Sequence, residues 1–470
     1  MISKARTSLV LFCFFAMTLS SSLWAQIARG TLNGRITDAD GAVVPGARLV
    51  ATETSTGTKD TAASNADGQY TIPFLTPGTY NLAVTSQGFK SSVHNNIAVG
   101  ANVHVMIDVA LQIGTRSEVV SVAADNTMLE TTIASTGQVL DTEDIENMPV
   151  NGRTPMILAQ LAYGALSTGN PQFNHPFDNS GPSSISLGGG ASKQNEILID
   201  GAPDGGADGT LAYSPPMDAM QEVKVETFQA DAAYGHTSGG TINHITRSGT
   251  NQYHGSLYEY LQVSALNDTP YFNKHVAGKP IRKSVTRFNQ WGGTIGMPLS
   301  IPHLYDAHDK LFLFFAYEGI SDNTPSPSIL SVPTLAERKG DFSALLPLGV
   351  QIYDPATGVK NGNRVMRQPF PNNVIPQSRL NQVGQNLASF FAEPNIPAGK
   401  ADGELNYFYP GNNIDHFDSE MGRIDANISN RNKMFFAFRH NNRYHAANNA
   451  FDNAATGSVL IQPNWGATLD

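Results

Sequence analysis

Residues 195–249 decide the fold: NEILIDGAPDGGADGTLAYSPPMDAMQEVKVETFQADAAYGHTSGGTINHITRSG. Short strand-like runs alternate here with glycine turns. Ile197, Leu198 and Ile199 form a compact apolar run, closed by the turn signal Asp200-Gly201. Val223, Val225 and Thr227 alternate with Glu222, Lys224 and Glu226, so the next strand has one greasier and one charged face. Gly239-Gly240 opens a further run, Thr241 to Arg247, and Ser248-Gly249 ends it. The stretch has no set of catalytic groups. It reads as a small domain shaped to fit inside something else.

The order of motifs carries a resemblance. Met217-Asp218-Ala219-Met220-Gln221-Glu222-Val223-Lys224-Val225 comes first, then Ala233-Tyr234-Gly235. Gly239-Gly240-Thr241-Ile242-Asn243 and Thr246-Arg247-Ser248-Gly249-Thr250-Asn251 follow. This series resembles the plug domain and first barrel strand of TonB-dependent outer-membrane receptors, most of all the Oar-like subgroup. The turn Met148-Pro149-Val150-Asn151-Gly152-Arg153 fits the same pattern. His244 departs from it, standing where the family usually has an apolar residue. The resemblance implies a mainly β chain with three parts: an N-terminal β-sandwich, a mixed α/β plug and a partial antiparallel transmembrane β-barrel. It also implies outer-membrane lipid and the periplasmic TonB complex as partners, with an unidentified substrate such as a carbohydrate or peptide.

Toward the N-terminus, residues 1–25 read as a signal peptide. Lys4 and Arg6 precede the apolar core Leu9 to Leu19, and Trp24-Ala25 offers a cleavage point. Cys13, the single cysteine, lies in this segment, so the exported chain uses no disulfides. Residues 26–113 read as a β-sandwich. Its clearest expected strand is Val103, Val105, Ile107, Val109 and Leu111 in alternation with polar residues. The pattern GRITDADGAVVPGARLVATETSTG, followed by NADGQYTIPFLTPGTYNLAVTSQGFK, resembles the carboxypeptidase regulatory-like domain, which has a carbohydrate-binding-like fold. Phe89 is an exposed aromatic candidate there, with a structural role expected.

Gly114-Thr115-Arg116 reads as a hinge, and residues 114–250 as the linker and plug. The β-branched segment Glu118, Val119, Val120, Ser121 and Val122 resembles a TonB box, whose backbone pairs with a strand edge of the periplasmic partner. An ordinary strand of the neighbouring domain is the competing reading. A short helix is expected over Asp141 to Asn147, capped by Asp141 or Thr142, and another over Thr154 to Ala162.

Residues 251–470 change to long alternating strands: Gln252–Val263, Arg287–Pro298, Lys310–Asp322, His416–Ser429 and Lys433–Tyr444. Met434, Phe436 and Phe438 share one face of the last, with Arg439 and Asn441 on the other, as lipid outside and water inside require. Tyr258, Tyr260, Phe312, Phe314 and Tyr317 are candidates for interfacial girdles. The proline-rich residues 331–410 read as one long extracellular loop. The remainder leaves room for about ten strands, against about 22 in a plugged transporter. The chain is therefore expected to be the N-terminal part of a receptor that forms no working pore alone.

Composition excludes other classes. Only 15% of residues are charged, and the net charge of −10 with no basic cluster argues against nucleic-acid binding. Histidines show no H-x-x-E or H-E-x-x-H spacing, and no G-x-S-x-G or phosphate-binding loop occurs. Asp200, Asp204 and Asp208 share one loop, read as a solvated turn rather than a calcium site. His236, His244 and His254 are expected in separate surface or wall roles. No cofactor, metal or catalytic residue is expected. The function implied by the resemblance is substrate uptake gated by a plug inside a barrel. The alternatives are a cell-surface carbohydrate-binding or adhesion protein and a secreted enzyme with an accessory β-domain.

Overall fold

A computed structural model describes residues 29–114, 119–123, 136–168, 183–228, 237–268, 287–300, 306–400, 402–429, 432–447, 449–453 and 457–469. The expected signal segment, Glu118, His236 and Ala233-Tyr234-Gly235 lie outside them.

Nine strands build the first unit: β1 (Gly30–Asp38), β2 (Arg48–Glu53), β3 (Lys59–Ala63), β4 (Gln69–Leu75), β5 (Gly78–Thr85), β6 (Ser91–Val99), β7 (His104–Met106), β8 (Val109–Leu111) and β9 (Val119–Ala123). One sheet runs β4-β1-β7, with β8 also on β1; the other runs β3-β2-β5-β6-β9. Period-two alternation points Leu32, Ile36, Leu49, Leu82 and Val84 inward to a shared core. Each such buried side chain contributes about 1.5–3 kcal/mol. Tyr70 and Tyr80 are buried with them; their hydroxyls donate to the Ile107 and Thr76 carbonyls, both at 2.8 Å. The single strand expected over Val103–Leu111 is broken into two. Between them, Asp108 turns to accept the Arg35 backbone N–H at 2.8 Å. Phe89 is half-buried and packs on the core rather than standing free.

The middle unit is a second sheet. Its elements are β10 (Thr136–Leu140), α1 (Thr142–Asn147), β11 (Ala165–Ser167), β12 (Ile185–Leu187), β13 (Glu196–Ile199), β14 (Ala202–Pro203), β15 (Met220–Phe228) and β16 (Thr241–Thr246). The strand order is β10-β15-β16-β13-β14, with β13 and β16 parallel. Asp141 caps α1, accepting the Asp144 N–H at 3.0 Å. The helix expected after Thr154 is a 3₁₀ run, Pro155–Leu161. Every residue of β16 is buried, so both faces of this sheet are covered. The charged face of β15 does not meet solvent either: Glu222, Lys224 and Glu226 are all buried.

The third unit is one long antiparallel wall: β17 (His254–Val263), β18 (Arg287–Pro298), β19 (Leu311–Pro325), then β24 (Asn412–Ser429), β25 (Asn432–Ala447) and β26 (Ser458–Leu469). The connection between β19 and β24 carries β20 (Ser328–Leu330) paired with β23 (Tyr407–Tyr409), β21 (Val359–Asn361) paired with β22 (Arg364–Met366), and α2 (Gln382–Ser389). The wall is an open sheet of six strands, not a closed barrel. β26 had no counterpart among the expected strands, and the expectation of about ten strands exceeds the six seen among the described residues.

The girdle assignment is largely corrected. Phe312 and Phe314 are buried on the inner face, and Tyr258 and Tyr260 also turn inward to meet Arg153. Tyr317 has the opposite parity. It shares an outward row with Glu420, His440 and Trp465 through the strand register. Below that row, Phe315, Ile424, Met434, Phe436 and Phe438 form an outward apolar band.

Candidate functional site at the seam between inner sheet and wall

The turn Asp200-Gly201 joins β13 to β14 with both residues at positive φ, 52° and 81°. That is the two-residue hairpin turn an Asp-Gly pair favours, since Asp tolerates and Gly readily adopts the left-handed region. The turn aims the Asp200 carboxylate at the wall. Oδ1 accepts the Thr246 N–H at 2.9 Å and the Arg423 Nη1–H at 3.0 Å. Arg423, from β24, also donates Nη1–H to Thr246 Oγ1 at 2.9 Å and both Nε–H and Nη2–H to Asp425. Its guanidinium lies 4.2 Å from the centre of the Phe435 ring. From β25, Arg439 approaches Asp200 Oδ2 at 4.0 Å and donates to Thr468. Ser248 completes the knot, donating to Asp425 at 2.7 Å.

This network is largely buried and borders a cavity. The Arg423 and Asp200 side chains are 9% and 3% exposed. Two buried charges of opposite sign with their hydrogen bonds filled hold register well. Removing one partner leaves the other stranded, which costs about 3–5 kcal/mol. The expected solvated turn is therefore corrected in part: Asp200 and Asp204 are buried, because the wall covers them, while Asp208 is exposed. Burial pushes the Asp204 carboxyl up to about 8, against the lowering effect of Arg439 and the Tyr213 N–H.

A second clamp reaches the first wall strand. Arg153, in the expected turn Met148–Arg153, packs against the neighbouring rings of Tyr258 and Tyr260, with its guanidinium 4.7 Å from each ring centre. It pairs with Asp218 and donates to the Tyr260 hydroxyl at 2.8 Å. Tyr258 lies across Gly292, where a Cβ would fall 2.5 Å from the phenol oxygen, so glycine at this position is what admits the ring. Further contacts run along the seam. Tyr213 Oη donates to the Glu420 carbonyl at 3.1 Å, Ser419 Oγ to the Ser214 carbonyl at 3.0 Å, and Asn464 to the Ala212 carbonyl at 2.9 Å. Apolar packing crosses it too, since Phe314, Ala316 and Met421 belong to the same buried cluster as Leu158, Ile199 and Val225.

His244 is fully buried inside the inner sheet. Its Nδ1–H donates to the Leu198 carbonyl at 3.3 Å and its Nε2 has no partner. Burial lowers its pKa to about 4, opposed by the Leu198 bond and by Asp200, so the ring is neutral at ordinary pH. His254, by contrast, sits at the wall's end beside Thr250. Among the described residues no group of three or more His, Asp or Glu is placed to hold a metal ion.

The segment Val119–Val122 lies in β9, paired in parallel with β6 at the end of its sheet, Ser91 opposite Val119 and His94 opposite Val122. Nearer the long-connection end of the wall, Asp415 accepts from Arg443 Nε at 2.9 Å and from His445 Nδ1 at 2.8 Å. The roles of Arg153, Arg423 and Arg439 were not readable one by one. The available signal was alternation: Arg423, Lys433, Arg439 and Arg443 fall on the face of β24 and β25 opposite the lipid-type residues.

The comparisons agree with this architecture. A carboxypeptidase regulatory-like domain family matches residues 31–112, and an outer membrane beta barrel domain family matches residues 245–469. The TonB-dependent transporter Oar of Myxococcus xanthus is 28% identical over 317 residues, which is 63% of this chain and 27% of that protein. The chain thus spans about a quarter of the length of this curated relative. Among solved structures, the outer membrane transporter YddB from Escherichia coli aligns over 72% of this chain and 38% of its own, with 10% identity and a TM-score of 0.44. The pilus 2b backbone protein of group B streptococcus aligns over 18% of this chain and 42% of its own, with 21% identity and a TM-score of 0.16. The curated relative is a transporter rather than an enzyme. The chain thus carries a carboxypeptidase regulatory-like domain ahead of an outer membrane beta barrel domain, and over most of its length it is similar to a TonB-dependent transporter.

Proposed function

We propose that this chain supplies the periplasmic domain, the plug and the first part of the barrel of an energy-driven outer-membrane transporter. In this reading residues 1–25 direct export, 26–113 form the sandwich, 114–250 the linker and plug, and 251–470 part of the barrel. The observation that carries it is the Arg423–Asp200 knot, which ties a folded inner sheet to the lumen face of a lipid-facing wall. A carboxylate on the inner sheet held by wall cations forms a joint that is stable at rest and separable under force. Substrate, a carbohydrate or peptide, binds the long outer connections and the top of the plug. The TonB complex pairs with the segment Glu118 to Val122 by strand addition and pulls. Deleting residues 117–122 is expected to abolish energy-dependent uptake while leaving the receptor in the outer membrane. Uptake that continues undiminished would reject the role of that segment.

A further inference from the structure

The geometry points to a second closure: the sandwich is a releasable lid over the periplasmic mouth, separate from the plug. The inference rests on the transporter reading only for what passes through that mouth. The wall has two unlike ends. One carries the long β19–β24 connection, and at the other only two residues separate β24 from β25. Short turns mark the periplasmic end of such walls.

The sandwich meets that short-turn end. Glu53 is buried at the end of β2, and its carboxylate accepts the Ser55 N–H at 3.1 Å and the Thr56 N–H at 2.5 Å. This folds residues 54–58 into a tight turn that projects onto the wall's rim. The rim is itself braced: Asn251 Nδ2 donates to Asp309 Oδ1 at 2.6 Å, and Asn427 Nδ2 donates to the Asp309 carbonyl at 3.1 Å. The sandwich turn docks on these three residues. Asn251 Nδ2 also donates to the Thr56 carbonyl at 2.7 Å, the Asn251 N–H donates to the Ser55 carbonyl at 3.1 Å, and Asn427 donates to Thr58 Oγ1 at 2.8 Å. Gly57, at φ +70°, sits so close that a Cβ would fall 2.3 Å from Asp309 Oδ1. Beside it, Lys433 Nζ contacts both Asp60 oxygens at 2.7 Å, with both side chains nearly buried.

A second footing lies on the inner sheet, where Glu222 Oε1 accepts the Ala101 N–H at 2.7 Å and Lys224 Nζ donates to the Asn102 carbonyl at 3.0 Å. Beside the first footing, where sandwich, inner sheet and wall meet, remains a cavity of about 420 Å³. Thr56 and Thr79 of the sandwich, Gln221 and Arg247 of the inner sheet, and Lys433 of the wall face it. Anything leaving past the inner sheet at this point enters that chamber with the sandwich across its outlet. The footings are polar and small in number, the make-up of an interface that opens.

The test uses the receptor in outer-membrane preparations. Within residues 1–470 the only cysteine is Cys13, so Gln221→Cys, in a receptor whose cysteines beyond these residues are replaced by serine, gives a single reporter facing the chamber once the signal segment is removed. The probe is a polymer-linked maleimide too bulky to enter a closed chamber. Labelling is expected to be slow with native footings and about tenfold or more faster with Asp60→Lys, which sets two cations together. The swap Asp60→Lys with Lys433→Asp is expected to return it to slow, which separates release from misfolding. Labelling that is fast with native footings, or unchanged by Asp60→Lys, would overturn the lid. Failure of the transporter reading shows differently, as absent energy-dependent uptake with these labelling rates intact.

Discussion

Arg153 shows how much one side chain can hold. It packs against two adjacent phenol rings, with Asp218 as counter-charge and Tyr260 as acceptor. A desolvated cation over an aromatic face is worth about 2 kcal/mol, and the planar guanidinium makes two such contacts at once. Arg153→Lys keeps the charge but cannot span both rings. It is expected to lower the denaturant midpoint for release of the inner sheet, and Arg153→Ala to lower it further by stranding Asp218. Asp200→Ala is expected to cost about 3–5 kcal/mol in the same measurement, because Arg423 and Arg439 then lose a buried partner.

Two buried groups of the inner sheet set a pH dependence of opposite sign. Asp204 has its folded pKa raised to about 8 by burial, so its contribution is present in acid and is lost as pH rises toward 8. His244 has its folded pKa lowered to about 4, so its contribution is present above its ordinary value of 6.5 and is lost as pH falls toward 4. The two oppose each other below 6.5. Above it only Asp204 acts, facing Arg439 and the Tyr213 N–H. Protection of β13 and β16 amides in native-state hydrogen exchange is expected to decline from pH 6.5 to 8, and Asp204→Asn to flatten that decline. A flat profile in the unsubstituted protein would contradict the assignment.

At the scale of elements, β25 was fully legible. Met434, Phe436 and Phe438 face outward while Arg439 and Asn441 are buried inward, as their alternation requires. Phe436→Arg is expected to destabilise the wall by about 2–4 kcal/mol near mid-membrane, read as loss of heat-resistant migration on a detergent gel. Other elements were legible only in part. Alternation in β15 announced two unlike faces but not what covers each. Aromatic residues mark a lipid boundary only when their parity is known. Tyr258 and Phe312 share a composition with Tyr317 but lie on the other face, packed toward the inner sheet. β26 escaped notice because Pro463 interrupts its pattern.

For the molecule as a whole, the order of sandwich, inner sheet and wall came from the resemblance carried by the motifs, and strand periodicity fitted it. The seam did not follow. Asp200 and Arg423 meet across 223 positions, and Lys433 and Asp60 across 373. No local pattern encodes such pairings; only the folded arrangement of three units brings them together. The same distance in sequence makes them separable in experiment. Asp60→Ala is expected to loosen the sandwich while leaving the Arg423 knot intact, seen as faster amide exchange in β2 and β3 with β13 and β16 unchanged.

The charged face of β15 has one more implication. Glu222 and Lys224 are matched by backbone groups of the sandwich, not by grease. When the two bodies part, water can take over each of those bonds, and the newly wetted surface stays unattractive to stray chains. Parting and rejoining can therefore recur without exposing a surface that aggregates, which a greasy joint of equal area would not permit.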